Sequence, residues 1–436
     1  VCESMATSGP ERSGEQEPEL VTDVAIRSLV DVEAEWTYRK ISFMGVVTSF
    51  VGKLSAGEDL TKVSLPAILI HPFTMLEAAA YRELCVIQLL LDANKHKKST
   101  HDRFLSVLRW LLATTRQEKY HKKPTNPVLA ETHFAWVDMP GYGRTEFIGE
   151  QVSHHPPITA LIARNAEQNI DICGNLSFGV KFGRNSVGIT TNGPVDIKLK
   201  NFDEVYHLDK CLPDMIVRKV IIGTKRIAWE GEIEIACPET GYSAQIKYHE
   251  KGKTNFITGV IQLHGDNKYA FNGQAGNAIN YWPASEGLDE KKAKTIKLLV
   301  DASKEKLQYL KYVPLDKLDD LSSMLLWRYF NQLLVDNEMA KADVEKKRIE
   351  FEQRERRRIL DEKGGEHDFQ YFAKDNESGL FEFKDNITID KILSRESNPV
   401  LVKPVSHTEF PEHTAKRQPK KKKSKVSKKK NKKSKK

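Results

Sequence analysis

At 436 residues, 39% hydrophobic and 29% charged, the chain is long enough for one large domain or two ordinary ones with a sizeable core. Its five cysteines (Cys2, Cys85, Cys173, Cys211 and Cys237) are scattered without a C-x-x-C pair, which argues against a disulfide scaffold or structural zinc and for a reducing, cytoplasmic compartment. The net charge of +8 divides unevenly: fourteen cations and no acid lie between Lys416 and Lys436, leaving the body at −6.

Residues 1–37 are acidic, polar and rich in Glu, Ser, Gly and Pro; they read as disordered and contain no apolar signal segment. Ile41 to Leu54 follows a helical period, with Met44, Val47, Phe50, Val51 and Leu54 on one side. That face needs a partner surface: it is either an ordinary packed helix or, in the sharper reading, a lid (38–62) that closes an apolar cavity. Thr74 to about Arg116 is helical in period. Its most apolar window, Leu76 to Leu91, contains Glu77, Arg82 and Glu83, which is incompatible with a membrane span.

From Thr132 to about Trp282 the texture becomes β-rich. Twelve short runs recur: Phe134–Val137, Glu146–Val152, Ile158–Ile162, Ile170–Cys173, Val187–Thr190, Val195–Leu199, Glu204–Leu208, Met215–Ile222, Ile227–Ile235, Ser243–His249, Phe256–Leu263 and Tyr269–Asn272. No helical pattern intervenes, which predicts a large antiparallel barrel over 131–283. A barrel of that size cannot fill its interior with side chains and should enclose a ligand cavity. After Pro283 the chain reads as helical and charged, with a long stretch from Ser322 to about Lys363 and a mixed end packing back on the body up to 405. Residues 406–436 form the disordered polybasic tail.

Three constellations carry chemistry. Glu150-Gln151-Val152-Ser153-His154-His155-Pro156-Pro157 sets two adjacent imidazoles before a double proline. Consecutive strand side chains diverge, so the pair makes a poor metal clamp. The prolines end ladder pairing, leaving two histidines at a sheet rim. They are either simply exposed there or able to donate hydrogen bonds to a multivalent anion. The second is Lys122-Lys123-Pro124-Thr125-Asn126-Pro127-Val128-Leu129-Ala130-Glu131-Thr132, a proline-stiffened loop with a cation, an amide and an acceptor (Lys123, Asn126, Glu131) at its rim. The third is Lys346, Glu350 and Arg354, spaced four apart on one helix stripe; alone it is equally an ordinary solvated face with weak ion pairs.

The first constellation resembles the signature of the oxysterol-binding protein-related family of lipid carriers. The second resembles that family's lysine-proline-x-asparagine-proline loop, although the family usually has Gly where this chain has Ala130. Ser323 and Trp327 fit its serine-x-x-x-tryptophan helix, with Met324 at the position usually basic. Gly57 to Pro66, and on through Ile68, Leu69 and Ile70 to Pro72, is similar to the family's segment leading into the tunnel. The resemblance runs from about Ile41 to Tyr371 and implies a lipid-transfer domain over 38–405. That domain would be α+β, mainly β: an incomplete antiparallel β-barrel enclosing a lipid tunnel, with N-terminal lid and helices (63–130) and a helical C-terminal region (284–405).

It further implies that Lys123, Asn126, Glu131, His154, His155, Lys346, Glu350 and Arg354 surround a phosphatidylinositol 4-phosphate headgroup, with Phe50, Leu65, Ile68, Leu69 and Ile70 at the lid and tunnel mouth. The second lipid is a sterol or phosphatidylserine; Gly57 to Leu65 looks more like the phosphatidylserine-carrying branch, and both stay open. A monomer that works peripherally on membranes is expected, with neither cofactor nor metal. The lysine tail is read as an attraction for anionic membranes rather than nucleic acid, since no aromatic residue interleaves it. An enzyme is not expected: Ser153 abuts His154 on a strand without a nucleophile elbow, and Gly141-Tyr142-Gly143 lacks the Lys-Ser/Thr of a P-loop. The alternative is a phosphoinositide or sterol sensor that binds lipid without bulk transfer.

Overall fold

The computed structural model describes residues 66–115, 123–154, 156–183, 185–219, 226–362, 367–384 and 387–397, without the side chains of Leu69, Val180 and Phe182. The expected lid with Phe50, the residues Leu65 and His155, and the lysine tail lie outside the described residues.

Strand β1 (Ile70–Thr74) leads into helix α1 (Met75–Leu84). The junction is set by a capping box: Glu77 N–H donates to Thr74 Oγ1 at 3.3 Å, and Thr74 N–H donates to Glu77 Oε2 at 2.7 Å. Helices α2 (Gln88–Leu91) and α3 (Thr100–Thr114) follow, the latter capped by Ser99. After β2 (Lys123–Thr125) come β3 (Thr132–Met139), β4 (Gly143–His154), β5 (Pro157–Asn165), β6 (Ile170–Gly183), β7 (Ser186–Asn192), β8 (Val195–Leu199) and β9 (Glu204–Leu208). The sheet continues with β10 (Asp214–Arg218), β11 (Arg226–Cys237), β12 (Tyr242–Lys251), β13 (Thr254–Leu263), β14 (Asp266–Gln274), β15 (Ala278–Pro283), β16 (Lys297–Asp301) and β17 (Lys311–Tyr312). Helices α4 (Ser323–Leu326), α5 (Arg328–Val335) and α6 (Met339–Glu362), the hairpin β18 (Phe372–Lys374) and β19 (Phe381–Phe383), and α7 (Ile389–Leu393) complete the chain.

Strands β3 to β17 form one 15-stranded antiparallel sheet. Its path runs β16-β15-β14-β13-β12-β11-β10-β7-β6-β5-β4-β3-β17, and a second route from β6 to β11 passes through β8 and β9. Eleven of the twelve expected β-runs fall wholly on strands; the twelfth, Met215–Ile222, does so as far as Arg218, and its last three residues lie outside the described ones. Three strands of this sheet were not expected: β15, and β16 and β17 within a region read as helical. Residues 284–322 are irregular with short strands and 3-10 turns, so helix begins only at Ser323, not after Pro283. The density of lysines ahead of β16 hid a sheet edge, where charge is tolerated.

Helices α1 to α3 pack on one face of the sheet; Leu84, Leu90, Phe104, Leu108 and Leu111 share a core with Ile197, Ile235, Ile246 and Ile261. On the other face of β3 to β5, Phe134, Trp136, Ile148 and Ile162 are covered by Tyr371, Phe372, Ile389 and Ile392. Burial on both faces suits the mostly apolar middle of β5, where Leu161 and Ala163 face one core and Ala160 and Ile162 the other. A third cluster joins Ala67, Ile70 and Val128 to Trp327, Phe330, Ala342 and Ile349.

Coverage of the helix-facing side is incomplete. Ile189 stands opposite Met215, and Val187 opposite Val217, which stands opposite Ile227. These apolar side chains share the face of Ile233 and Ile235, yet they are only half-buried whereas Ile233 and Ile235 are fully enclosed. Among the described residues, an apolar wall is therefore only partly covered at the end of the sheet where β7 begins and β10 ends. No helix among the described residues is long and apolar enough to cross a membrane.

Candidate functional site

The double-histidine motif occupies the end of β4. Pairing with β5 shifts register between Gln151 and Ser153, and the ladder closes with His154 opposite Pro157. A shift of this kind twists a strand end and re-aims its last side chains. His154 is half-buried there. The proline-stiffened loop lies alongside: Ala130 N–H donates to Gln151 O and Gln151 N–H to Glu131 O, both at 2.8 Å. Ala130 has φ +62°, the left-handed conformation. The glycine usual in the resembling family would adopt it freely, and alanine adopts it at a cost of ~1–2 kcal/mol.

The two glutamates of these motifs face inward. Glu150 accepts three backbone N–H groups, from Gln370 (2.8 Å) and Tyr371 (2.9 Å) and Phe372 (3.2 Å), tying the C-terminal segment to β4. Burial pushes its carboxyl upward, and the three donors pull it back. Glu131, read from the sequence as a rim acceptor, is fully buried. It accepts Val128 N–H at 2.9 Å, Ser323 Oγ at 2.6 Å and Trp327 Nε1 at 2.8 Å. Its carboxyl is pushed up to about 7 by burial against those bonds. Thr74 Oγ1 bonds Ser323 Oγ at 3.3 Å, extending the network to α1. The Ser323 and Trp327 pattern thus holds the loop to α4 and α5 through one carboxylate. Glu77 in the same network is also pushed up to about 7, by burial and then, as a smaller raising influence, by the charge of Glu131.

The cations converge beside this network. Lys123 stands opposite Ile70 in the parallel pairing of β2 with β1, and its ammonium bonds Asn126 Oδ1. Helix α6 is docked by Ala67 N–H donating to Asp343 Oδ1 at 2.7 Å and by Ala342 and Ile349 in the core. That orientation buries Lys346, which pairs with Glu350 at 2.6 Å one turn on. Although part of Lys123 reaches solvent, protein atoms crowd its ammonium. Burial, then the nearby Lys346 charge, lowers it to about 8. Two ammonium groups held close, with one carboxylate between adjacent turns, make a site that gains from a multiply charged anion.

The structure therefore gathers Lys123, Asn126, Lys346 and Glu350, and sets His154 at the strand end bordering the same loop. Arg354 is exposed, two turns beyond Lys346 and roughly 12 Å along the axis. Ile70, expected at the tunnel mouth, is buried in the core under α5 and α6, whereas Ile68 is half-exposed. What the sequence did not signal is the anchoring by Glu150, whose partners lie about 220 residues downstream.

Comparison with known proteins agrees with this architecture. A profile described as Oxysterol-binding protein matches residues 47–391. Oxysterol-binding protein 10 of Dictyostelium discoideum is 28% identical over 70% of this chain and 77% of its own length. The oxysterol-binding protein-like protein OBPalpha of Candida albicans is 29% identical over 77% of this chain and 78% of its own. Among solved structures, the Osh1 ORD domain in complex with cholesterol superposes with a TM-score of 0.63 at 20% identity, covering 80% of this chain and 87% of that one. The Osh3 ORD in complex with PI(4)P from Saccharomyces cerevisiae gives 0.59 at 20% identity, over 77% and 89%. The fold is the one these domains share, and the chain belongs to the oxysterol-binding protein family.

Proposed function

We propose that this chain is a lipid-transfer protein that binds phosphatidylinositol 4-phosphate and exchanges it for a second lipid, a sterol or phosphatidylserine, between membranes. The observation that carries the proposal is the crowding of the Lys123 ammonium: burial, and then the nearby Lys346 charge, lowers it to about 8. A phosphomonoester between the two lysines offsets that penalty. In this reading His154 and His155 donate from the strand end, Asn126 and Glu350 orient the two lysines, Arg354 closes on the headgroup from α6, and Glu131 holds the loop in place. The half-buried wall of Val187, Ile189, Met215, Val217 and Ile227 offers the apolar surface for acyl chains or a sterol.

One apolar wall serves one lipid at a time, so either occupant excludes the other. Each buried methylene contributes ~0.8 kcal/mol irrespective of headgroup, and charge-assisted hydrogen bonds of ~1.5–3 kcal/mol each select among headgroups. The lysine tail attracts the carrier to anionic cytoplasmic membrane surfaces. Native mass spectrometry of the purified chain with its co-purifying lipids, followed by liposome-to-liposome transfer, tests the reading. Bound phosphoinositide and a second lipid, each displacing the other, are expected. Binding without transfer between liposomes would reduce the protein to a sensor, and no phospholipid affinity would overturn the proposal.

A further inference from the structure

Helix α6 leaves an apolar stripe on the side away from the body. Ala342 and Ile349 are buried in the core with Ala67 and Phe330. At about 100° per residue, Val344 and Phe351 stand on the opposite side of the helix, with Ile359 within about 60° of Val344. These three are 57%, 53% and 44% exposed, among the large apolar side chains that the described residues leave to solvent.

The stripe continues through charged side chains in a definite order. Lys341, Val344, Arg348, Phe351, Glu355, Ile359 and Glu362 follow at intervals of three or four, the spacing of a coiled-coil seam, and fall within an arc of about 80°. In reverse, the series keeps its apolar positions and inverts its charges. Lys341 answers to Glu362, Val344 to Ile359 and Arg348 to Glu355, each pair symmetric about the point between Phe351 and Glu352. The charged members are already neutralised along their own helix. Arg348 pairs with Glu345 at 2.6 Å and Glu352 at 2.5 Å, Arg358 holds Glu355 at 3.0 Å and Glu362 at 2.5 Å, and Lys341 lies 3.3 Å from Glu338. Met339–Glu362 as a whole carries eight cations against seven acids, so it offers little excess charge to an anionic surface.

We propose that the outer face of α6 is an interface between two copies of this chain, packed antiparallel about a twofold axis between Phe351 and Glu352. Across such an axis the two Phe351 rings meet, Val344 packs on the second copy's Ile359, and Arg348 and Lys341 face its Glu355 and Glu362. An isologous contact requires a surface complementary to itself, and a charge series that inverts on reversal meets that requirement with an antiparallel copy. Charge also decides against two other occupants. A membrane gains nothing from a stripe of two cations and two acids, and the acidic residues 1–37 would meet its acids as often as its cations. One helix pair about 36 Å long lies at the small, reversible end of interface sizes, so the association is weak. It departs from the monomer expected from the sequence and is independent of which lipid the mouth carries.

The test is sedimentation velocity of the full chain without lipid, from about 1 to 300 µM, a range that brackets weak association. A dimer that grows with concentration is expected. Phe351→Glu sets two like charges at the axis and should raise the dimer Kd at least tenfold with an unchanged thermal melt, since the side chain is exposed; Phe351→Leu should keep the dimer. A mixture of Val344→Cys and Ile359→Cys chains should cross-link on oxidation above the wild-type background, and neither variant alone should do so. A monomer throughout, or a dimer indifferent to Phe351→Glu, would overturn the assignment. Cross-linking of Val344→Cys with itself would overturn it by making the pairing parallel. Amide-exchange protection of residues 341–362 that does not vary with protein concentration would overturn it by assigning the stripe to a segment of the same chain. A monomeric protein whose vesicle binding falls with Phe351→Glu would overturn it in favour of a membrane contact.

Discussion

Raising the pH from 7.5 to 9.5 should switch off phosphoinositide binding through Lys123. In the free protein this group titrates at about 8, because burial and then the Lys346 ammonium disfavour its charged form. A bound phosphate favours the charged form, so Lys123 in the complex keeps its proton throughout the range. The free protein must then gain a proton to bind, and affinity declines as that proton is lost. With a pKa of about 8, the protonated fraction falls from about 0.75 at pH 7.5 to about 0.03 at pH 9.5, a loss of roughly 25-fold in affinity. Unperturbed imidazoles (~6.5) and phosphomonoesters (~6) titrate below that window. Glu77 and Glu131, pushed up to about 7, are also largely ionised by its start. The assay is a titration with a short-chain fluorescent phosphatidylinositol 4-phosphate at constant ionic strength, for the wild type and for Lys123→Arg, whose guanidinium does not titrate. A flat wild-type profile, or an equal slope in the arginine variant, would refute the coupling between headgroup and lysine.

Three further outcomes follow from the same geometry. Lys123→Met removes a crowded cation facing Lys346, so it should raise unfolding stability by roughly 1–2 kcal/mol, discounted for the solvent that reaches it, while abolishing headgroup binding; thermal melts and extraction measured together check this. Glu150→Ala strands three backbone donors and should cost about 2–4 kcal/mol in urea unfolding, with loosened exchange at 370–372, whereas a purely ligand-binding Glu150 would leave stability unchanged. His154→Ala with His155→Ala should lower phosphoinositide extraction at least roughly tenfold with an intact circular-dichroism spectrum; normal extraction by that folded variant would remove the histidines from the site.

Strand periodicity was legible because strands such as β8, β9 and β12 keep one face covered and the other open, so alternation survives in the side chains. β15 and β16 were not, since Ala278–Pro283 is short and Lys297–Asp301 follows a run of lysines that reads as surface helix. At the site, residue spacing alone could not distinguish Lys346 and Glu350 from an ordinary solvated stripe; the docking of α6 buries Lys346 and leaves Arg354 outside. Glu131 and Glu150 were the hardest to read. A carboxylate in a polar motif looks like a ligand group, and only contacts spanning some 190 to 220 residues reveal it as a fastener.

Those long-range fasteners set the order in which the protein can be made. Ala67 with Asp343, Glu150 with Tyr371 and Glu131 with Trp327 close loops of 276, 221 and 196 residues. At about 5–20 residues per second, the stretch from Pro283 to Glu362 takes roughly 4–16 s to leave a ribosome after the last central strand. Throughout that interval the outer face of β3 to β5 and the ledge awaiting α6 have no cover, and closing such distant pairs is slow in itself. The nascent chain thus passes through a stage with exposed apolar strands and an unfinished rim, when chaperones have most to bind. Release before Tyr371 is made would leave the outer face of β3 to β5 without its cover.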